Sequence, residues 1–110
     1  MQLPSLLVLA TVSAVSAIPA DYSGVVFYEN PDFGGFSYTI PTTDRCWPLQ
    51  ERIFQKASSV RISTPGTICV VYRDLACATP PLYNRLGRTI SNLDAIGLGD
   101  RIGSVSCARA

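Results

Sequence analysis

The chain contains no histidine, so it lacks the side chain that most often acts as a general base in enzymes. Its four cysteines include no Cys-x-x-Cys pair, and together with the missing histidine this argues against a zinc site. There is no basic run either. Arg85 and Arg88 come closest, and the formal net charge is +1. The sequence therefore gives no support to nucleic acid or an anionic membrane as a partner.

Charge is also missing from residues 2–17, where a short apolar run at residues 6–10 is followed by small residues. The run is too short to cross a bilayer as a helix. The segment Val15-Ser16-Ala17 has the small side chains that signal peptidase accepts. We predict a signal peptide at residues 1–17 and a single secreted, extracellular domain at residues 18–110. A membrane anchor or a buried helix is the alternative.

Four cysteines fall within this domain: Cys46, Cys69, Cys77 and Cys107. A domain of this size buries only about 60–65 % of the surface that its unfolded chain exposes, so its core is thin. An even number of cysteines in a small exported domain implies two disulfides. Sequence alone leaves all three possible pairings open. Because both pairs are expected to be oxidised, no cysteine thiolate should be available as a nucleophile.

Several short β-branched and aromatic segments, bounded by turn residues, are predicted to be strands. They are residues 25–28, 36–40, 60–62, 68–72 and 103–107. Two further segments, at residues 49–57 and 93–98, are compatible with short helical turns. Strands of this length and spacing predict an all-β sandwich or barrel.

An internal repeat divides the chain into two halves. Residues 26–33 align with residues 70–77, and residues 57–62 align with residues 102–107. Each half opens with a strand ending in tyrosine, continues into a hairpin and closes with a Ser-Val strand. Two copies of a four-stranded unit account for the whole domain.

The first half reads Tyr28-x-x-x-x-Phe33-x-Gly35, with Ser59 before its last strand, and resembles the Greek-key motif of the βγ-crystallin superfamily. The resemblance implies a disulfide-bonded two-sheet sandwich of eight strands in two Greek keys, at about residues 24–64 and 67–108. It implies that the Tyr28 and Phe33 rings pack as a corner. Gly35 is expected to adopt a positive φ, and the Ser59 hydroxyl to bond the hairpin backbone.

The second half keeps Tyr72 and Ser104 but departs from the motif elsewhere. Cys77 stands where the second aromatic residue is expected, and Thr79 where glycine is expected. We therefore expect a disulfide to replace the aromatic corner in this half.

The family arrangement also implies a disulfide pairing, because the third strand of one half lies beside the fourth strand of the other. On that basis we expect Cys69–Cys77 within the second hairpin and Cys46–Cys107 between the two halves. The other two pairings remain possible.

Many microbial members of the family bind calcium through Asn/Asp-Asn/Asp-x-x-Ser/Thr-Ser, which aligns with residues 54–59 and 99–104. The first segment has neither acidic residue and contains Lys56, and the second keeps only Asp100, beside Arg101. Calcium takes six to eight oxygen ligands. We therefore predict no bound cofactor, with Asp100 as a weak candidate metal ligand whose favoured role is to cap a turn. A weak calcium-binding module is the remaining calcium hypothesis.

No combination of nucleophile, base and charge-stabilising group is apparent, so we predict no enzymatic activity and no catalytic residue. The favoured function is structural or stress-protective, performed by a monomer. The alternative, which the family resemblance implies, is a binding effector such as a proteinase inhibitor or a killer-toxin-like protein acting on an unknown protein target. The candidate binding loop is Arg73, Asp74 and Leu75, and an ordinary hairpin tip is the simpler interpretation of that loop.

Overall fold

A computed structural model describes residues 21–109. The predicted signal peptide at residues 1–17 lies outside the described residues. Seven strands lie within these described residues: β1 Val25–Asn30, β2 Gly34–Thr39, β3 Cys46–Pro48, β4 Ser59–Ile62, β5 Thr67–Tyr72, β6 Tyr83–Leu86 and β7 Ser104–Arg109. All five strands predicted from sequence are confirmed, with shifted ends, and β3 and β6 were not predicted.

The strands form two antiparallel sheets whose order shows the Greek-key crossing. One sheet has the order β2-β1-β4 and the other β3-β7-β5-β6. The third strand of the first motif, β3, therefore lies beside the last strand of the second motif, β7. Reciprocally, Ile90 bridges to Val60 of β4, with N···O distances of 3.0 and 2.8 Å. The two-sheet sandwich is confirmed, with a single bridge at Ile90 in the place of the eighth strand.

Inward-facing side chains of both sheets form one hydrophobic core. In β5 the residues Thr67, Cys69 and Val71 are buried and alternate with less buried ones, as expected for a strand with one face on a core. The core cluster contains Val25, Phe27, Ile40, Leu49, Ile53, Ala57, Val60, Cys69, Val71, Leu86, Leu93, Leu98, Ile102, Val105 and Cys107.

One irregular segment precedes the last strand of each motif. Residues 51–56 form consecutive turns, and Leu93–Ile96 form a 3₁₀ helix. The Asn92 side chain caps this helix by accepting a hydrogen bond from the Asp94 N–H at 3.0 Å. Ile53 and Leu93 are fully buried, so each segment contributes to the core although neither is long enough to be stable alone.

The disulfides join Cys46 to Cys77 and Cys69 to Cys107. The expected pairs, Cys69–Cys77 and Cys46–Cys107, are therefore wrong. The strands of Cys46 and Cys107 are neighbours, as expected, but Cys46 lies opposite Ser106. Successive side chains on a strand point to opposite faces, so Cys46 and Cys107 face away from each other. Cys69 lies directly opposite Cys107, with a Cα–Cα distance of 4.0 Å.

The second disulfide follows from the position of the hairpin after β5. The Cys77 N–H donates to Ser104 Oγ at 3.0 Å, which holds the hairpin over the face of β7 that carries Ser104 and Ser106. Cys46, opposite Ser106, lies on that same face. Cys77 therefore meets Cys46, with a Cα–Cα distance of 6.1 Å.

No helix among residues 21–109 is long and apolar enough to cross a membrane.

Candidate functional site

The first hairpin is built around an aromatic corner at the end of β1. The ring centroids of Tyr28 and Phe33 are 5.6 Å apart, and the ring planes meet at 73°, an edge-to-face arrangement. The guanidinium carbon of Arg61 lies 4.2 Å from the centroid of the Phe33 ring. Phe33 thus contacts a second aromatic ring and a cation, which are both favourable partners for an aromatic ring.

The Ser59 hydroxyl fixes the backbone of that hairpin. It accepts a hydrogen bond from the Phe33 N–H at 3.0 Å and donates to the Asn30 carbonyl at 2.6 Å. Asp32 and Phe33 have φ angles of 56° and 62°, a region that costs a non-glycine residue about 1–2 kcal/mol. Ser59 is fully buried, so its bonds compensate part of that cost without competition from water.

Gly35 follows in the same hairpin with a φ of 77°. A Cβ at this position would come within 2.6 Å of Asn30 Nδ2. Glycine is therefore favoured here by its φ, and any larger residue would also have to displace the Asn30 side chain.

The second hairpin has the same backbone arrangement around Tyr72, Cys77 and Ser104. Cys77 has a φ of 54°, and its N–H bonds Ser104 Oγ as the Phe33 N–H bonds Ser59 Oγ. The Gly103 N–H donates to the Tyr72 carbonyl at 2.6 Å. The disulfide to Cys46 therefore stands where the first motif has its aromatic contact.

The candidate binding loop is ordered by the Asp74 carboxylate. This group accepts hydrogen bonds from the N–H groups of Ala76 at 3.1 Å and Ala78 at 3.0 Å, and from the Thr79 hydroxyl at 2.8 Å. The Ala78 N–H first, and the Thr79 hydroxyl second, hold the pKa of Asp74 well below its ordinary value. Thr79, which stands where glycine was expected, thus takes part in the turn through its hydroxyl.

The base of this loop is held at the Arg73 backbone. Its carbonyl accepts a hydrogen bond from Gln55 Nε2 at 3.0 Å. A Cβ on Gly103 would lie 2.0 Å from the same carbonyl oxygen, so only glycine allows this approach. At the tip, Leu75 is 55 % exposed. The arrangement presents one apolar side chain on a backbone that is already fixed.

The segments aligned with the calcium motif do not fit a calcium site. Gln55 directs an amide donor at the Arg73 carbonyl, and a calcium ion needs the lone pairs of such oxygens. Asp100 is exposed, with its N–H bonded to the Ala57 carbonyl at 3.2 Å. Among residues 21–109 there is no group of three or more histidine, cysteine, aspartate or glutamate side chains that could hold a metal ion.

Sequence reasoning missed a cleft at the edge of the second sheet. Its lining consists of Tyr83, Arg85, Leu86, Gly87, Arg88 and Ile90, and its volume is about 300 Å³. The spacing Arg85-x-x-Arg88 is the only signal for it in the sequence.

Comparisons with known proteins agree with this architecture. No protein-family model matches the chain, and no curated protein matches it. A structure from work on the evolution of the eye lens βγ-crystallin domain fold has a TM-score of 0.63 at 21 % identity, covering 87 % of this chain and 94 % of that one. A βγ-crystallin from an archaeon has a TM-score of 0.63 at 22 % identity, covering 78 % and 98 %. A βγ-crystallin domain from Flavobacterium johnsoniae has a TM-score of 0.62 at 21 % identity, covering 78 % and 94 %. With two Greek keys, reciprocal strand crossing and these structural neighbours, the chain has the βγ-crystallin fold.

Proposed function

We propose that the chain is a secreted, non-enzymatic, monomeric protein with a structural or stress-protective role outside the cell, where durability is its selected property. The observation that carries the proposal is the pair of overlapping disulfides, Cys46–Cys77 and Cys69–Cys107. Disulfides persist in oxidising compartments and are rare in the cytosol.

The two closed loops are large and overlap in sequence. Their cysteines are 31 and 38 residues apart, and both loops contain residues 69–77. In the chain-entropy model each such link is worth about 4 kcal/mol, against about 5–15 kcal/mol for the whole stability of a typical domain. The thin core is thus supplemented by covalent links that restrict the unfolded chain.

Durability is tested on residues 18–110 in oxidised form and after reduction and alkylation. We expect the oxidised protein to unfold at a much higher denaturant concentration and to resist broad-specificity proteases that digest the reduced form. Equal resistance of the two forms would contradict the proposal. Secretion is tested by expressing the full chain in a eukaryotic secretory host and sequencing the N-terminus of any exported protein, which we expect to begin at Ile18.

A second candidate function is supported by the loop around Leu75. A loop that is already ordered loses little conformational entropy on binding, and this is how a rigid inhibitor loop gains affinity for a protease. Asp74 and the Cys46–Cys77 disulfide supply that order, and Leu75 supplies an exposed side chain for a partner's pocket.

This candidate is tested by assaying a panel of serine and metalloproteases with the oxidised protein. If the loop is inhibitory, Leu75→Ala and Arg73→Ala raise the inhibition constant, whereas Arg101→Ala, an exposed arginine outside the loop, leaves it unchanged. Slow cleavage without inhibition would favour the structural role. Equal effects of all three substitutions would exclude the loop as the contact.

A further inference from the structure

The edge strand β6 departs from regular pairing next to the cleft. Leu86 lies opposite Cys69 and Tyr83 lies opposite Val71, so three steps on β6 match two steps on β5. The extra residue is a β-bulge, which twists an edge strand and changes the direction of its side chains. As a result, the three residues of β6 before the buried Leu86 are all exposed.

The cleft beside this bulge carries positive charge and no negative charge. Arg85 and Arg88 both line it, and no acidic residue does. Among the described residues, neither of these guanidinium groups has an ion pair, a hydrogen bond or an aromatic contact. Arg52, in contrast, lies 3.5 Å from Glu29.

Two like charges that share one cleft repel each other, and an anion between them relieves the repulsion. Guanidinium groups hold planar carboxylates through two parallel hydrogen bonds. Both arginines line the cleft, so each can supply a fork of donors to a carboxylate bound there.

Tyr83 adds an apolar surface to this charged cleft. It is 37 % exposed and, apart from Leu75, is the only large hydrophobic residue exposed in residues 21–109. An aromatic ring with a polar tip packs against apolar groups while its hydroxyl stays in water. The C–H face of a sugar ring is a surface of that kind. A volume of about 300 Å³ lies at the lower end of the range for small-molecule sites.

We propose that this cleft binds a carboxylated sugar unit of an acidic saccharide, with Arg85 and Arg88 on the carboxylate and the Tyr83 ring against the sugar. The cleft is open at the sheet edge, so neighbouring sugar units can extend beyond it. The proposal is independent of the structural role and of the Leu75 loop.

The test is a titration of oxidised residues 18–110 with trigalacturonate, in which binding is measured by calorimetry and by the NMR shifts of the β6 amides. The uncharged methyl ester of trigalacturonate and inorganic phosphate serve as comparison probes. We expect trigalacturonate to shift the β6 amides and the ester to bind at least about tenfold more weakly. Arg85→Gln and Arg88→Gln should each weaken trigalacturonate binding about tenfold.

Two controls separate this site from general charge attraction and from a bare anion site. Arg45→Gln removes one charge beside β3, at the opposite edge of the same sheet, and should leave the affinity unchanged. Tyr83→Ala should weaken trigalacturonate binding and leave phosphate binding unchanged. Unchanged unfolding midpoints show that the variants are folded.

The proposal is overturned if trigalacturonate does not bind, if its ester binds equally well, or if Arg45→Gln weakens binding as much as the cleft variants do. It is also overturned if Tyr83→Ala has no effect and phosphate binds as tightly as trigalacturonate, because the cleft would then hold only a bare anion.

Discussion

At the scale of single residues, the two buried serines have the same position but different partners. Ser59 Oγ bonds both the Phe33 N–H and the Asn30 carbonyl, and its hairpin has no covalent tie. Ser104 Oγ accepts from the N–H of Cys77, whose side chain is tied to Cys46. The first hairpin therefore depends more on its serine than the second one does.

We expect Ser59→Ala to lower the free energy of unfolding by about 1–3 kcal/mol, because the partly buried Phe33 N–H and Asn30 carbonyl lose their hydrogen-bond partner. Ser104→Ala should cost less in the oxidised protein, and Ser37→Ala, on an exposed position of β2, should stay within about 0.5 kcal/mol. Urea unfolding midpoints measure all three. Equal losses for Ser59→Ala and Ser37→Ala would contradict the assigned role of Ser59.

Gly35 and Gly97 have nearly equal φ angles, so substitutions at these two positions allow the cost of the backbone conformation to be distinguished from the cost of steric overlap. Gly35 has a φ of 77° and Gly97 a φ of 76°, but only at Gly35 does an added Cβ meet other atoms. Replacing either by alanine should cost about 1–2 kcal/mol for the left-handed backbone. Gly35→Ala should cost more, because Asn30 must also move. Thermal unfolding compares the two, and an equal cost would show that Asn30 moves away freely.

At the scale of elements, the loop after β5 is stabilised by one ionised carboxylate. The folded-state pKa of Asp74 is lowered, so the carboxylate contributes stability above the ordinary aspartate pKa. This contribution decreases as the pH falls below about 4 toward the lowered pKa. Proton uptake converts the acceptor of several hydrogen bonds into a poorer one.

We therefore expect hydrogen-exchange protection of the Ala78 and Thr79 amides to fall between about pH 5 and about pH 2. Asp74→Asn should show low protection at both pH values and lose the pH dependence. NMR exchange measurements, corrected for the intrinsic effect of pH, provide the comparison. Constant protection across this range would mean that the loop is ordered without Asp74.

At the scale of the whole molecule, the two disulfides stabilise different parts of the fold. Cys69–Cys107 lies in the core between neighbouring strands, and Cys46–Cys77 ties the loop to an edge strand. Replacing the Cys69–Cys107 pair by alanines should cost about 2–5 kcal/mol in global stability.

Replacing Cys46 and Cys77 by alanines should in addition release the loop at residues 73–79. Limited proteolysis of the native state should then cut within that loop, while the Cys69/Cys107 variant is not cut there under conditions in which it remains folded. Identical cleavage patterns in the two variants would contradict this division.

Calcium binding would affect the stability of the whole molecule, because an ion that binds only the folded state raises the melting temperature by mass action. Since Gln55 and Asp100 do not form an oxygen-rich site, we expect the same melting temperature in calcium and in chelator. A rise in calcium that is lost in Asp100→Asn would overturn this interpretation.

Features that are encoded locally or repeated along the chain could be predicted from the sequence. β-Branched and aromatic segments bounded by turn residues predicted five strands. The repeat of Tyr28 and Ser59 as Tyr72 and Ser104 predicted two equivalent halves, and the family resemblance implied that each half is a Greek key. The short, proline-ending β3 and the exposed, bulged β6 have no such pattern. They exist as strands because β7 and β5 lie beside them, so sequence periodicity could not reveal them.

The disulfide pairing and the cleft beside β6 depend on tertiary contacts. The family arrangement correctly implied that β3 and β7 are neighbours, but pairing depends on which residues lie opposite each other. Cys46 is opposite Ser106, and a register shift of one residue reverses the face of every side chain on a strand. The cleft that Arg85 and Arg88 line likewise lies beside the bulge in β6. Register and bulges are set by contacts between distant segments, which the order of residues along the chain does not display.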